Sequence, residues 1–194
     1  MAAQVISARL ITEEDLLRFG AEDQPVEVAQ GEIVRVTEAG VRHSMIAGNA
    51  YRLLFAFVSV NRLGFVFTDG LIYVLKRNSD GSIQKSCIPD ASFVRRERMP
   101  VDFDLTRPFP GAPDIAIEVV SPTETATDTA AKIHDYLEAG AAQVWVLYPD
   151  QQEAQQHVQG SDSIRVYRND TGIDVGAILP GLKMTPAEIF ALPD

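Results

Sequence analysis

The segment PDIAIEVVSP, residues 113–122, places two carboxylates, Asp114 and Glu118, in an otherwise apolar run. An ionised acid taken out of water is costly unless a salt bridge, a hydrogen-bonded cap or a metal ion compensates it. A second Pro-Asp pair, Pro89-Asp90, heads another apolar segment. Proline is tolerated at the head of a strand because that residue need not donate to the ladder. Spacing separates the three acids. Asp114 and Glu118 share a strand face, but at ~3.3 Å per residue their backbones lie roughly 13 Å apart. Ligands of one Mg ion must each approach within ~2.1 Å, so that couple makes a poor shared site. Adjacent strands are only ~4.8 Å apart, so Asp90 and Glu118 converge if their strands pair. The plainer alternatives are that Glu118 is a buried acid bonded to a neighbour or cap, and that Asp114 turns the chain through side-chain-to-backbone bonds.

A cation is wanted beside such a couple. Lys132, in AAKIHDYLEAG, lies two to three turns into the helix expected after Glu118. That helix runs back along the sheet with Ile133, Leu137 and Tyr136 on its buried side, which returns Lys132 towards the acids. A lysine beside two metal-bound carboxylates orients water or stabilises a phosphorane-like transition state. The ordinary alternative is a solvated helix lysine.

The elements that must position these groups are legible in outline. TEEDLLRF, residues 12–19, is a short helix with Thr12 as N-cap and acids in its first turn. Residues 31–37 alternate like a strand. HSMIAGNAYRLLFAFVSV, residues 43–60, spaces Ile46, Ala50, Leu53, Leu54, Phe57 and Val58 as one face of a long amphipathic helix. Strands are expected at 64–68, 71–75, 86–94, 113–120, 142–150 and 163–170, with NSDGS (78–82) as a turn. Residues 113–120 are apolar on both faces, as in a central strand covered on each side. The helix carrying Lys132 starts either at Ser121, with Pro122 at the first position and Glu124 as capping acid, or a turn later at Thr125 or Thr127. It ends at Gly140, and a last short helix is capped at Thr185-Pro186. The order predicts a mixed α/β domain with one twisted central sheet.

Composition narrows the function classes. At 194 residues the chain suits one compact domain, divided into an N-terminal extension with a short helix (1–30), a core (31–170) and a closing segment (171–194). No apolar run is long enough to span a membrane. The N-terminus lacks the order of a signal peptide, and the lone Cys87 cannot form an internal disulfide, so a cytoplasmic setting is expected. Seventeen basic against 27 acidic residues argue against nucleic-acid binding by general electrostatics, but not against a nucleic-acid enzyme neutralised locally by metal. His43 is read as a capping or packing residue at the mouth of the long helix. His134 and His157 lack zinc-site spacing. The RRER run (95–98) is read as a solvated loop, and Ser121 as a cap rather than a nucleophile.

The ordered set GEIV (31–34), His43, PDASFV (89–94), PDIAIEVVSP (113–122), Lys132, a tyrosine, Ala139-Gly140, VWVLYPD (144–150) and LPG (179–181) resembles the Uma-type restriction-endonuclease family of the PD-(D/E)XK nuclease superfamily. The resemblance runs roughly from Thr12 to Phe190. It implies a restriction endonuclease-like fold: a mixed central sheet flanked by helices, with an αβββαβ core. It also implies Mg or Mn held by Asp90 and Glu118, DNA as substrate, and a homodimer able to reach both strands. In this superfamily a lysine two residues after the second acid positions the attacking water; here that place holds Val120, and Lys132 is its relocated replacement. Glu32 matches an additional acid that can hold a metal-bound water, and Asp114 joins the candidate metal set. Three readings stay open: a metal-dependent endonuclease, a catalytically degenerate binding or regulatory protein on the nuclease scaffold, and a hydrolase of smaller phosphate esters.

Overall fold

A computed structural model describes residues 10–22, 25–35 and 40–193. The Thr12 cap holds as expected: its hydroxyl accepts from the Asp15 amide while the Asp15 carboxylate accepts from the Thr12 amide, opening α1 (Glu13–Ala21). Strands β1 (Val26–Ala29) and β2 (Glu32–Arg35) form a hairpin whose two turn residues, Gln30 and Gly31, have φ of 52° and 80°. Positive φ at both positions suits the twist of a two-residue hairpin. Residues 36 and 37 of the strand expected over 31–37 lie outside the described residues, and β1 falls where an N-terminal extension was expected.

Helix α2 (Val41–Asn61) buries Ile46, Ala50, Leu54 and Val58, one residue per turn, as its periodicity predicted. After it come β3 (Gly64–Thr68), β4 (Tyr73–Arg77), β5 (Ile83–Cys87), β6 (Ala91–Arg95), β7 (Phe109–Pro110) and β8 (Ile115–Val119). Helix α3 (Ala126–Glu138) starts at the later of the two predicted positions. Thr125 and Asp128 make the capping box, whereas the Ser121 carbonyl accepts the Glu124 amide in a tight turn and its hydroxyl pairs with that of Thr123. It ends before Gly140, whose φ of 97° is the left-handed conformation a helix C-terminus favours. Strands β9 (Gln143–Tyr148), β10 (Glu153–Val158) and β11 (Ile164–Arg168) and the capped α4 (Pro186–Ile189) complete the chain.

Two sheets form where one was expected. The first runs β2-β1-β5-β4-β7 and the second β11-β10-β9-β8-β6-β3. The expected single strand over residues 86–94 is broken at Ile88-Pro89-Asp90: β5 ends in the first sheet and β6 begins in the second. Proline has no amide to extend the first ladder, so the chain can leave it there. Strand β8 is central and buried at all five positions. Its Ile115, Ile117 and Val119 pack towards α2 and the C-terminal segment, with Leu179, Met184 and Ile189. Ala116 packs on the opposite side with Val144, Val146 and Tyr136. Alternation along the strand therefore aims Glu118 at α3. A third cluster joins α1 to the first sheet through Leu16, Val26, Val28 and Ile83. Among the described residues no helix is long and apolar enough to cross a membrane.

Two glycines test this packing in opposite directions. A Cβ on Gly64 would lie 2.2 Å from the Val94 carbonyl oxygen, backbone that cannot step aside. Gly64→Ala is expected to lower the urea-unfolding free energy by about 1–3 kcal/mol. Gly48, exposed within α2, has open space at its Cβ, and Gly48→Ala is expected to raise stability by about 0.8–1 kcal/mol. Equal effects of the two substitutions would contradict the β3–β6 contact.

Candidate active site

The β6–β8 ladder decides where the acids meet. Its antiparallel register pairs Ala91 with Ile117, Ser92 with Ala116 and Phe93 with Ile115. One residue further along the same register, Asp90 faces Glu118. The Asp90 side chain then takes over from the ladder, its Oδ2 accepting the Val119 amide at 2.6 Å. The same oxygen lies 3.4 Å from Nε2 of His43, in the first turn of α2. Among the described residues Oδ1 of Asp90 has no hydrogen-bond partner.

Glu118, with 6% of its side chain exposed, is answered by α3. Lys132 Nζ donates to Oε2 at 3.1 Å, and the Tyr136 hydroxyl donates to Oε1 at 2.7 Å. Those two residues are four apart and so share one helix face. Lys132 also lies 3.9 Å from Glu124. Glu27, on β1 of the other sheet, accepts the Ile88 amide at 2.9 Å, at the point where the chain crosses between sheets. Burial pushes the Glu118 carboxyl well above the ordinary range, and the charges of Asp90 and Glu27 add to this against the pull of Lys132. Burial likewise raises Glu27. Burial acts to lower the pKa of Lys132, but Glu118, Glu27 and Glu124 outweigh it, so the ammonium is held charged. The site is a group of carboxylates organised around one permanent cation.

Asp90 and Glu118 are hard oxygen donors on neighbouring strands, and the unpartnered Oδ1 of Asp90 suits a divalent ion of the Mg type, which takes one or two carboxylates and completes its shell with water. Among the described residues no group of three or more His, Cys, Asp or Glu is disposed to hold a metal, so a cation here would rest on this pair and water. Carboxylate oxygens carry two lone pairs each, which lets Glu118 bind an ion while keeping Lys132 and Tyr136.

Two other acids from the sequence stand elsewhere. Asp114 sits at the opposite end of β8, 1% exposed. It accepts from the Arg95 backbone amide and the Arg95 Nε at 2.8 Å each, with Arg98 Nη1 at 3.3 Å. Much of the RRER run is thus spent compensating Asp114, and Arg96 donates to the Arg62 carbonyl. Glu32 is exposed on β2 and, among the described residues, makes no hydrogen bond or ion pair with the group. Glu27 is the acid that arrives from this hairpin. Its signal lay in VEVA: Val26 and Val28 face the cluster beneath α1, so the residue between them must face the other way. His43, read as a cap or packing residue, instead approaches Asp90, and α2 has Gly40 at its N-cap position.

Removing the cation should expose the cost of these acids. Lys132→Met is expected to destabilise the metal-free protein by about 2 kcal/mol, below the value for a fully buried pair because the lysine is 29% exposed. Adding Glu118→Gln to the same chain should restore most of the loss. A double-mutant cycle in urea measures this, and strictly additive effects would mean the pair is not coupled.

The fold matches the crystal structure of a putative nuclease belonging to DUF820 from Anabaena variabilis. The TM-score is 0.74 with 21% identity, over 90% of this chain and 97% of that one, which shows a shared fold. No curated protein matches the chain. A family model described as "Uma2: Putative restriction endonuclease" matches residues 13–187, from the first residue of α1 into α4. With fold and family agreeing over nearly the whole length, the chain belongs to the Uma2 family.

Proposed function

We propose that this protein is a metal-dependent DNA endonuclease that hydrolyses phosphodiester bonds at the Asp90–Glu118 pair. The observation that carries the proposal is the β6–β8 register, which sets those two acids opposite one another with Lys132 on the second. Asp90 and Glu118 are the residues that would hold Mg or Mn. Bound there, the metal supplies a Lewis acid for the phosphoryl oxygen and a water of lowered pKa. Lys132, kept charged by its carboxylate neighbours, does not serve as a general base. It is a fixed positive charge and hydrogen-bond donor, suited to orienting a water or to meeting charge that builds on the phosphorus oxygens. Tyr136 holds the other oxygen of Glu118 and so fixes the plane of that carboxylate. Glu27 keeps the Ile88-Pro89-Asp90 crossing in place. A homodimer would present two such sites to the two strands of a duplex.

A second reading has its own support. Val120 occupies the place of the superfamily's lysine and the chain carries a net charge of −10, both of which suit a catalytically silent binding or regulatory protein on the same scaffold. Fold alone does not choose between the two.

The test is Mn titration of wild type and Asp90→Ala by calorimetry, paired with plasmid nicking. Wild type is expected to nick with Mn, and Asp90→Ala to lose nicking together with about 10-fold or more in Mn affinity. Identical Mn binding by the two proteins would remove Asp90 from the site and the proposal with it. DNA binding without cleavage in Mg, Mn or Co would favour the silent module.

A further inference from the structure

We propose that His43 is a positioning residue for Asp90: its Nε2–H anchors Oδ2 of that carboxylate and leaves Oδ1 as the oxygen offered to a cation. The assignment of that oxygen to a metal rests on the nuclease reading above; the anchoring does not.

The geometry is specific to one oxygen. Asp90 lies just before β6, where the chain has left one sheet and not yet entered the other, so no ladder holds its side chain. Oδ2 meets two groups from different elements, the Val119 amide at 2.6 Å and Nε2 of His43 at 3.4 Å. The amide comes from β8 and the imidazole from the first turn of α2, across the pair from α3. Oδ1 meets neither.

The other nitrogen of the ring decides the tautomer. His43 Nδ1 is buried and has no hydrogen-bond partner among the described residues. A neutral imidazole carries one N–H and one bare nitrogen. Were the proton on Nδ1, an N–H donor would be buried without an acceptor, and the Nε2 lone pair would face a carboxylate oxygen that only accepts. With the proton on Nε2 the N–H lies beside the carboxylate oxygen 3.4 Å away, and the orphaned atom is a bare nitrogen. The second arrangement is the one consistent with the contacts. It also means that His43 faces Asp90 through a proton and not through a lone pair, so Nε2 is not itself a metal ligand in this geometry.

The consequence is orientational. A carboxylate held by one donor can swing about its Cβ–Cγ bond, and either oxygen can then face the metal position. Two donors on the same oxygen from different directions remove that freedom. Partners of this kind behind a metal-binding carboxylate or histidine typically alter metal affinity 10–100-fold.

Three measurements on the full-length protein test this. Nitrogen-15 NMR of histidine-labelled, metal-free wild type, on the alkaline side of the titration of His43, is expected to show the Nε2–H tautomer; the Nδ1–H tautomer would overturn the proposal. Mn binding is then compared in His43→Leu, which keeps the packing volume but has no donor, and in His43→Gln, whose amide can still donate to Asp90. The leucine variant is expected to bind Mn about 10-fold more weakly or worse, and the glutamine variant to stay within a few-fold of wild type. Equal affinity in all three proteins, or an equal loss in both variants, would make His43 a packing residue and refute its positioning role. A wild type that takes up no Mn yet shows the Nε2–H tautomer would retire the nuclease reading while the anchoring of Asp90 stands. Circular dichroism of each variant establishes that it is folded.

Discussion

A carboxylate on the inner face of a central strand constrains everything built over it. Glu118 keeps only 6% of its side chain exposed in the middle of the second sheet, so the layer above must bring both a positive charge and a hydrogen-bond donor. Helix α3 brings them one turn apart, as Lys132 and Tyr136. That requirement sets the rotation of α3, because the face that carries those two residues has to point at β8. Its other contacts follow the same rotation. Asp135 meets Lys85 on β5, and Glu138 meets Lys76 on β4, so the helix is also tied to the first sheet. The site and the packing of the two sheets are thus one arrangement.

The crossing between the sheets is the second element of that arrangement. Ile88, Pro89 and Asp90 belong to neither ladder, and their polar groups need other partners. Glu27 accepts the Ile88 amide, and Asp90 uses its side chain to accept the Val119 amide. A segment that crosses between sheets next to a buried acid therefore collects further acids around itself, because carboxylates are the acceptors it can use. The cluster of like charges is tolerable only because Lys132 sits among them and because burial keeps Glu118 and Glu27 inclined to hold a proton.

Where the sequence could be read, one physical signal dominated each element. Helix α2 was legible because its buried residues recur every turn, and β8 because an apolar run on both faces has few other uses. Strand spacing offered the Asp90–Glu118 couple on the condition that their strands pair, and the β6–β8 register meets that condition. Strand β10 left no such signal. EAQQHV is polar, and its buried Gln156 is satisfied by Gln143, the Asp174 carbonyl and Tyr167, a network visible only once the fold exists. The second sheet was hidden for a related reason. Residues 86–94 look like one strand because apolar character continues through Pro89, while the change of sheet depends on where β5 and β6 find partners. Asp114 shows the limit of reading an acid in isolation, since its partners Arg95 and Arg98 lie in a run that looks like an exposed loop.

Val120 shows why motif position and atomic position should be kept apart. A lysine two residues after Glu118 would lie on the same strand face and extend its amine beside that carboxylate. Here residue 120 is a partly buried valine packed with the apolar cluster under α3, and the amine comes instead from Lys132. The strand position now contributes packing and the helix position contributes charge. The 3.1 Å contact places an ammonium on Glu118 whichever element supplies it. What changes is its coupling. A strand lysine is fixed with the sheet, whereas Lys132 depends on the docking of α3 and is shared with Glu124 at the turn before it. The electrostatics of the site therefore depend on a helix–sheet contact, so that loosening α3 would leave Glu118 and its neighbouring acids without their cation.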